Sequence, residues 1–86
     1  MTFKKRTLDE SFLVALYDLV LKKGDLFIEI DRYEMGQLLR LSTKVTDSIV
    51  RHAAQANFIE KGQGDAIHFT PHGIRWVEEQ RDSTKS

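Results

Sequence analysis

The chain reads as one mainly helical domain with a single short β-hairpin. Three observations lead there. From Leu8 to Lys23, apolar residues recur at Leu8, Phe12, Leu16, Leu19 and Val20, the spacing of one helical face. Two helix-capping residues, Asp31 and Ser42, then stand close enough together to start two short helices joined by a tight turn. Finally, Phe58–Lys61 and Ala66–Phe69 are short apolar or β-branched runs on either side of Gly62-Gln63-Gly64-Asp65, the pattern of a hairpin. A chain of 86 residues buries one core and not two, so residues 1–86 are expected to form a single domain, with an ordered core over about residues 8–80.

Each element has its own local signals. The first helix ends at Gly24, because glycine takes the left-handed C-terminal conformation without a Cβ clash. Leu13, Val14, Tyr17 and Leu21 put a second apolar face on this helix, so it must be covered on more than one side. Leu26–Ile30 reads as a brief strand stopping at Asp31, the cap of the second helix. Glu34 is in capping-box position, and Ile30 and Met35 occupy the two ends of a hydrophobic staple. This helix is expected to reach about Leu39 or Arg40, with Met35, Leu38 and Leu39 turned inward. Ser42 caps the third helix, whose buried face is expected at Val45, Ile49, Ala53 and Ala56, with Asn57 as a left-handed stop. In the hairpin Ile67 and Phe69 share a face. Thr70 caps a last helix that has Pro71 at its first position, where a missing N–H costs nothing, and Ile74 and Val77 on its inner side. Arg81–Ser86 is polar and expected to fray.

Composition narrows the classes of function. Thirteen basic residues balance thirteen acidic ones, giving a sequence pI of about 6.8, whereas dedicated nucleic-acid binders usually carry a positive excess. With no cysteine, neither a disulfide nor a thiolate metal site is available, which suits a reducing compartment. Asp9, Glu10 and Asp18 interrupt the first apolar run, so no signal or membrane segment is expected and the protein is read as cytoplasmic.

The order helix, strand, helix, tight turn, helix, hairpin, helix resembles the winged helix-turn-helix family over roughly residues 8–79. Met35-Gly36-Gln37-Leu38-Leu39-Arg40-Leu41-Ser42 is similar to the family's Leu-Ala-x-x-Leu-Gly-Leu-Ser stretch, with small Gly36 where the two helices come closest. Asn57-Phe58-Ile59 resembles the Gly-Leu-Ile that opens the wing, and Phe69-Thr70-Pro71-His72-Gly73 its Leu-Thr-x-x-Gly exit. The chain departs from the pattern at Arg40, where the family favours glycine, and at Ala53 and Ala56, where a larger leucine is usual; the small residues leave room for a bulky neighbour such as Trp76.

The resemblance implies a regulator of transcription that binds double-stranded DNA, with the third helix in the major groove and the hairpin tip on the backbone or in the minor groove. On this reading Thr43, Lys44, Thr46, Asp47 and Arg51 face the groove, Gln55 lies near a phosphate, and Lys61, Gln63 and Gly64 sit on the wing. Arg51 is the candidate reader of guanine and Lys44 a phosphate contact, while Lys4-Lys5-Arg6 forms a basic arm. An alternative leaves the same face merely solvated, with Asp47 and Arg51 paired at i, i+4. In that case the domain is a protein-interaction module without DNA affinity. Leu13, Val14, Tyr17, Leu21 and Trp76 form either a homodimer seam or a surface covered by the last helix through Ile74, Trp76 and Val77.

Chemistry other than binding finds little support. His52, His68 and His72 have no common zinc-ligand spacing, and Ser48 with His52 lacks a third orienting group, so neither a metal, a cofactor nor catalysis is expected. Glu29, Asp31 and Glu34 cluster in sequence, but Asp31 and Glu34 are accounted for as a helix cap.

Overall fold

A threonine sets where the first helix begins. In the computed structural model, which describes the backbone of residues 6–83 and the side chains of residues 6–80, the Thr7 hydroxyl accepts from the Glu10 amide at 3.1 Å. The Thr7 amide donates back to Glu10 Oε1 at 2.9 Å. This capping box satisfies two N–H groups that α1 (Leu8–Lys23) would otherwise leave unpaired. Gly24 ends the helix in the left-handed conformation, as its sequence position suggested.

The chain then departs from expectation. Leu26–Ile30 does not form a strand: the Asp25 carboxylate accepts from the Phe27 amide at 3.0 Å and bends the segment into a turn. Only β1 (Ile30–Asp31) is extended. It pairs antiparallel with a strand much later in the chain, Ile30 opposite Ile67 and Asp31 opposite Ala66. Asp31 also caps α2 (Arg32–Leu38), accepting from the amides of Tyr33 and Glu34. The buried side of this short helix is centred between Met35 and Gly36, about 110° around the axis from Leu38. Leu38 is therefore 64% exposed and not turned inward as its hydrophobicity suggested.

The turn into α3 (Thr43–Gln55) is closed by the Leu41 amide donating to the Gly36 carbonyl at 2.8 Å. Arg40 adopts φ 58°, the left-handed conformation for which glycine is favoured. Ser42 caps α3 through the Val45 amide. The buried arc of α3 is formed by Thr46, Ile49, Val50 and Ala53, which leaves Val45 about 90° off its centre. Val45 and Ala56, both expected inside, are exposed.

Asn57, at φ 64°, turns the chain into β2 (Ile59–Lys61), and β3 (Ala66–Phe69) returns beside it. The sheet thus has three antiparallel strands in the order β1-β3-β2, one more than the hairpin alone. The Thr70 hydroxyl then accepts from the Gly73 amide at 3.0 Å and donates to the Asn57 carbonyl at 2.6 Å. It both caps α4 (Pro71–Ser83) and ties that helix to the entrance of β2. The helix continues to Ser83, past the point at which polarity suggested fraying.

One core unites these elements: Phe12, Leu16 and Val20 of α1 meet Ile49 and Val50 of α3, Ile67 and Phe69 of β3, and Val77 of α4. The architecture is mainly helical with a small antiparallel sheet, α+β in class. No helix among the described residues is long and apolar enough to cross a membrane.

Candidate nucleic-acid interface

On α3, the 100° step between residues brings Lys44, Asp47, Arg51 and Gln55 within about 80° of arc, on the side away from the core. Lys44, Arg51 and Gln55 are exposed, as is Thr43 at the helix start. Thr46 does not belong with them. It is 1% exposed, its hydroxyl donates to the Ser42 carbonyl at 2.8 Å, and it occupies the space left by Gly36. A Cβ on Gly36 would meet the Thr46 hydroxyl, so the two residues set how closely α2 and α3 approach. Thr46 is thus a packing residue and is withdrawn from the groove-facing set.

Asp47 is engaged from the other side. Its carboxylate accepts from the Tyr33 hydroxyl at 2.8 Å and lies 3.5 Å from an Arg32 guanidinium nitrogen, in place of the i, i+4 pair with Arg51 that the alternative reading of a solvated face supposed. Arg32 does more than balance this charge. Its Nε–H and its backbone N–H both donate to the Asp65 carbonyl at 3.1 Å, so one side chain joins the start of α2, the hairpin tip and the middle of α3. The Arg32 side chain is 11% exposed and Asp47 47%, so solvent screens the ion pair and its main effect is positional. Sequence reasoning missed Arg32 and Tyr33 in this role. Nothing local signals it, because the hairpin tip is brought to the start of α2 by the β1–β3 pairing and Asp47 by the packing of α3 on α2.

The Tyr33–Asp47 contact leaves a measurable mark. The hydrogen bond to Asp47, with smaller contributions from burial and from the charges of Asp47 and Asp65, raises the Tyr33 phenol above its ordinary value. A raised folded-state pKa favours the neutral phenol. The associated stabilisation is present below the ordinary tyrosine pKa of about 10 and is lost as pH rises through the higher folded value. In a phenolate absorbance titration Asp47→Asn should move the Tyr33 transition back towards the ordinary tyrosine value. An unchanged transition in Asp47→Asn would show that the contact is not formed.

At the hairpin, Lys61, Gln63 and Gly64 are exposed, and Gly64 sits at φ 61° in the tip. Lys44, Arg51, Lys61 and Arg40 of the α2–α3 turn form no ion pair among the described residues. Of the basic arm, Lys4 and Lys5 lie outside the described residues, and Arg6 is exposed.

The expected dimer seam is largely consumed within the chain. Leu13 is 2% and Tyr17 7% exposed. Tyr17 packs edge-on against Phe69 and donates its hydroxyl to Glu78 of α4 at 3.0 Å. α4 therefore covers this face, as the second sequence reading held, and neither residue is available to a partner. Val14 and Trp76 are half-buried and Leu21 is exposed. Trp76 leans on Phe58, with ring centroids 5.3 Å apart, beside Ala53 and Ala56.

The histidines are separated. His52 Nδ1 lies 3.3 Å from an Asp9 oxygen and is not bonded to Ser48; His68 Nε2 lies 3.9 Å from Glu60; and His72 stacks on Phe58. Among the described residues no three histidine or carboxylate side chains are placed to share a metal ion. No protein-family model, curated protein or solved structure matches the chain.

Proposed function

We propose that this chain is a winged-helix DNA-binding protein of the transcriptional-regulator kind, with α3 entering the major groove and the β2–β3 hairpin as the wing. The order of elements and the β1-β3-β2 sheet support the reading. The observation that carries it is the disposition of Asp47. The one carboxylate on the exposed arc of α3 is held by Arg32 and Tyr33, so Lys44 and Arg51 are left as its outward charges. The same Arg32 fixes the hairpin tip beside α3, which sets the spacing between a helix in the groove and a wing on the backbone. Because Leu13 and Tyr17 are used up within the chain, the reading does not require a dimer.

With Arg51 reading a base, Lys44, Lys61 and Arg40 provide about three phosphate-neutralising groups, so affinity for random duplex DNA should fall roughly 40-fold between about 50 and 200 mM salt. Fluorescence anisotropy with a labelled duplex measures this directly. A second reading is favoured by the exposed apolar residues Leu38 and Val45 on either side of the α2–α3 turn: a protein-interaction module that keeps the fold without DNA affinity. No binding even at low salt would select it.

A further inference from the structure

We propose that a cavity between α1, α3 and α4 binds a small organic cation, a protonated or quaternary amine carrying one aromatic ring. The site is independent of the DNA-binding face. Its origin is in the sequence: Ala53 and the C-cap residue Ala56 put only methyl groups at the end of α3, and no described side chain fills the space they leave beside Trp76. The resulting cavity has a volume of about 270 Å³, just under the range of ~300–1,000 Å³ typical of ligand clefts. That suits a single ring with a short tail and excludes a nucleotide.

Charge decides the ligand class. The Phe58 and Trp76 rings form an apolar, electron-rich wall, and Asp9 and Glu10 of the first turn of α1 stand at the rim. The N-terminal end of α1 contributes a partial positive charge of about +0.5 and the C-terminal end of α3 about −0.5, so the two helix ends offset each other. Two carboxylates then remain. Among the described residues, His52 is the other ionisable group lining the cavity and already faces Asp9 at 3.3 Å, and no described Lys or Arg lines it. Glu10 uses Oε1 in the capping box, which leaves its other oxygen for an ammonium group. A cation gains a charge-assisted hydrogen bond and contact with the Trp76 ring together, whereas an anion would face the two carboxylates.

Trp76 is the single tryptophan of the chain, so its fluorescence reports occupancy directly. The full chain is titrated with phenethylamine, and in parallel with phenylethanol and phenylacetate, which keep the ring and replace the cation by a neutral or an anionic group. A saturable change is expected with phenethylamine, about tenfold weaker binding with the alcohol, and none with the acid. Asp9→Asn should weaken phenethylamine about tenfold. Ala56→Leu should abolish the change by filling the cavity; Ala56 is exposed, and circular dichroism checks that the helices remain. No saturable change with phenethylamine at millimolar concentration would overturn the proposal. So would equal responses to all three compounds, or wild-type binding by both variants.

Discussion

Replacing Gly73 by alanine should lower the melting temperature by about 10–20 °C. Gly73 lies three residues into α4, where its amide donates to Thr70 and the helix backbone passes against the chain entering β2. An added Cβ would meet the Phe58 carbonyl oxygen and come within 3.0 Å of the Phe69 ring. The first is backbone and the second is at the centre of the core, so neither yields by a side-chain rotation. Overpacking of this kind costs about 3 kcal/mol, and a domain of this size loses near 4–8 °C for each kcal/mol. Gly24→Ala provides the contrast, because nothing lies within 4 Å of the added atom and only the left-handed backbone is penalised, by about 1 kcal/mol. Thermal denaturation of the two variants followed by circular dichroism makes the comparison. Equal small losses would mean that α4 is not seated on β2 as described.

The second large effect concerns DNA. Arg51 lies near the centre of the exposed arc of α3 and Lys44 is the second residue of the helix, at its N-terminal end, so they are assigned different jobs. Arg51→Ala should cost about 1–3 kcal/mol on the preferred sequence and relax the choice at one base position. Lys44→Ala should weaken every duplex alike and reduce the salt slope by about one. Selection from randomised duplexes, followed by titration of the preferred and a scrambled site, separates the two. Equal losses from both variants on every sequence would contradict these roles.

The residues that could be read in advance are those whose conformation is set by near neighbours. Leu8–Lys23, Ala66–Phe69 and the Thr70-Pro71 helix start stand where periodicity and capping chemistry put them, because each signal spans only a few residues. Thr7-x-x-Glu10 is equally local, a hydroxyl three residues before an acid being the sequence mark of a capping box. Other features were illegible for a physical reason. β1 is two residues long, too short for alternation to show, and exists only because β3 supplies its partner. Thr46 looks polar, but its hydroxyl is satisfied by the Ser42 carbonyl and the side chain fits into the space left by Gly36, so it can be buried with its hydrogen bond made.

The candidate face shows the same division. Lys44, Arg51, Gln55 and the hairpin tip are exposed together, as helical periodicity and the turn residues indicated. The pairing of Asp47 could not be read, because a carboxylate with an arginine four residues on invites a local ion pair. The tertiary fold offers it Arg32 and a tyrosine hydroxyl instead. On the proposed reading that choice matters, since among the described residues it leaves Arg51 without an ion pair.

The most direct measurement is the map of amide chemical-shift changes when isotope-labelled protein is titrated with a short duplex at low salt. If α3 and the wing bind DNA, the changes will concentrate on Thr43, Lys44, Asp47, Arg51 and Gln55 and on residues 61–65, with the α1 face around Leu21 left unmoved. Changes confined to other surfaces, or none at all, would contradict the account.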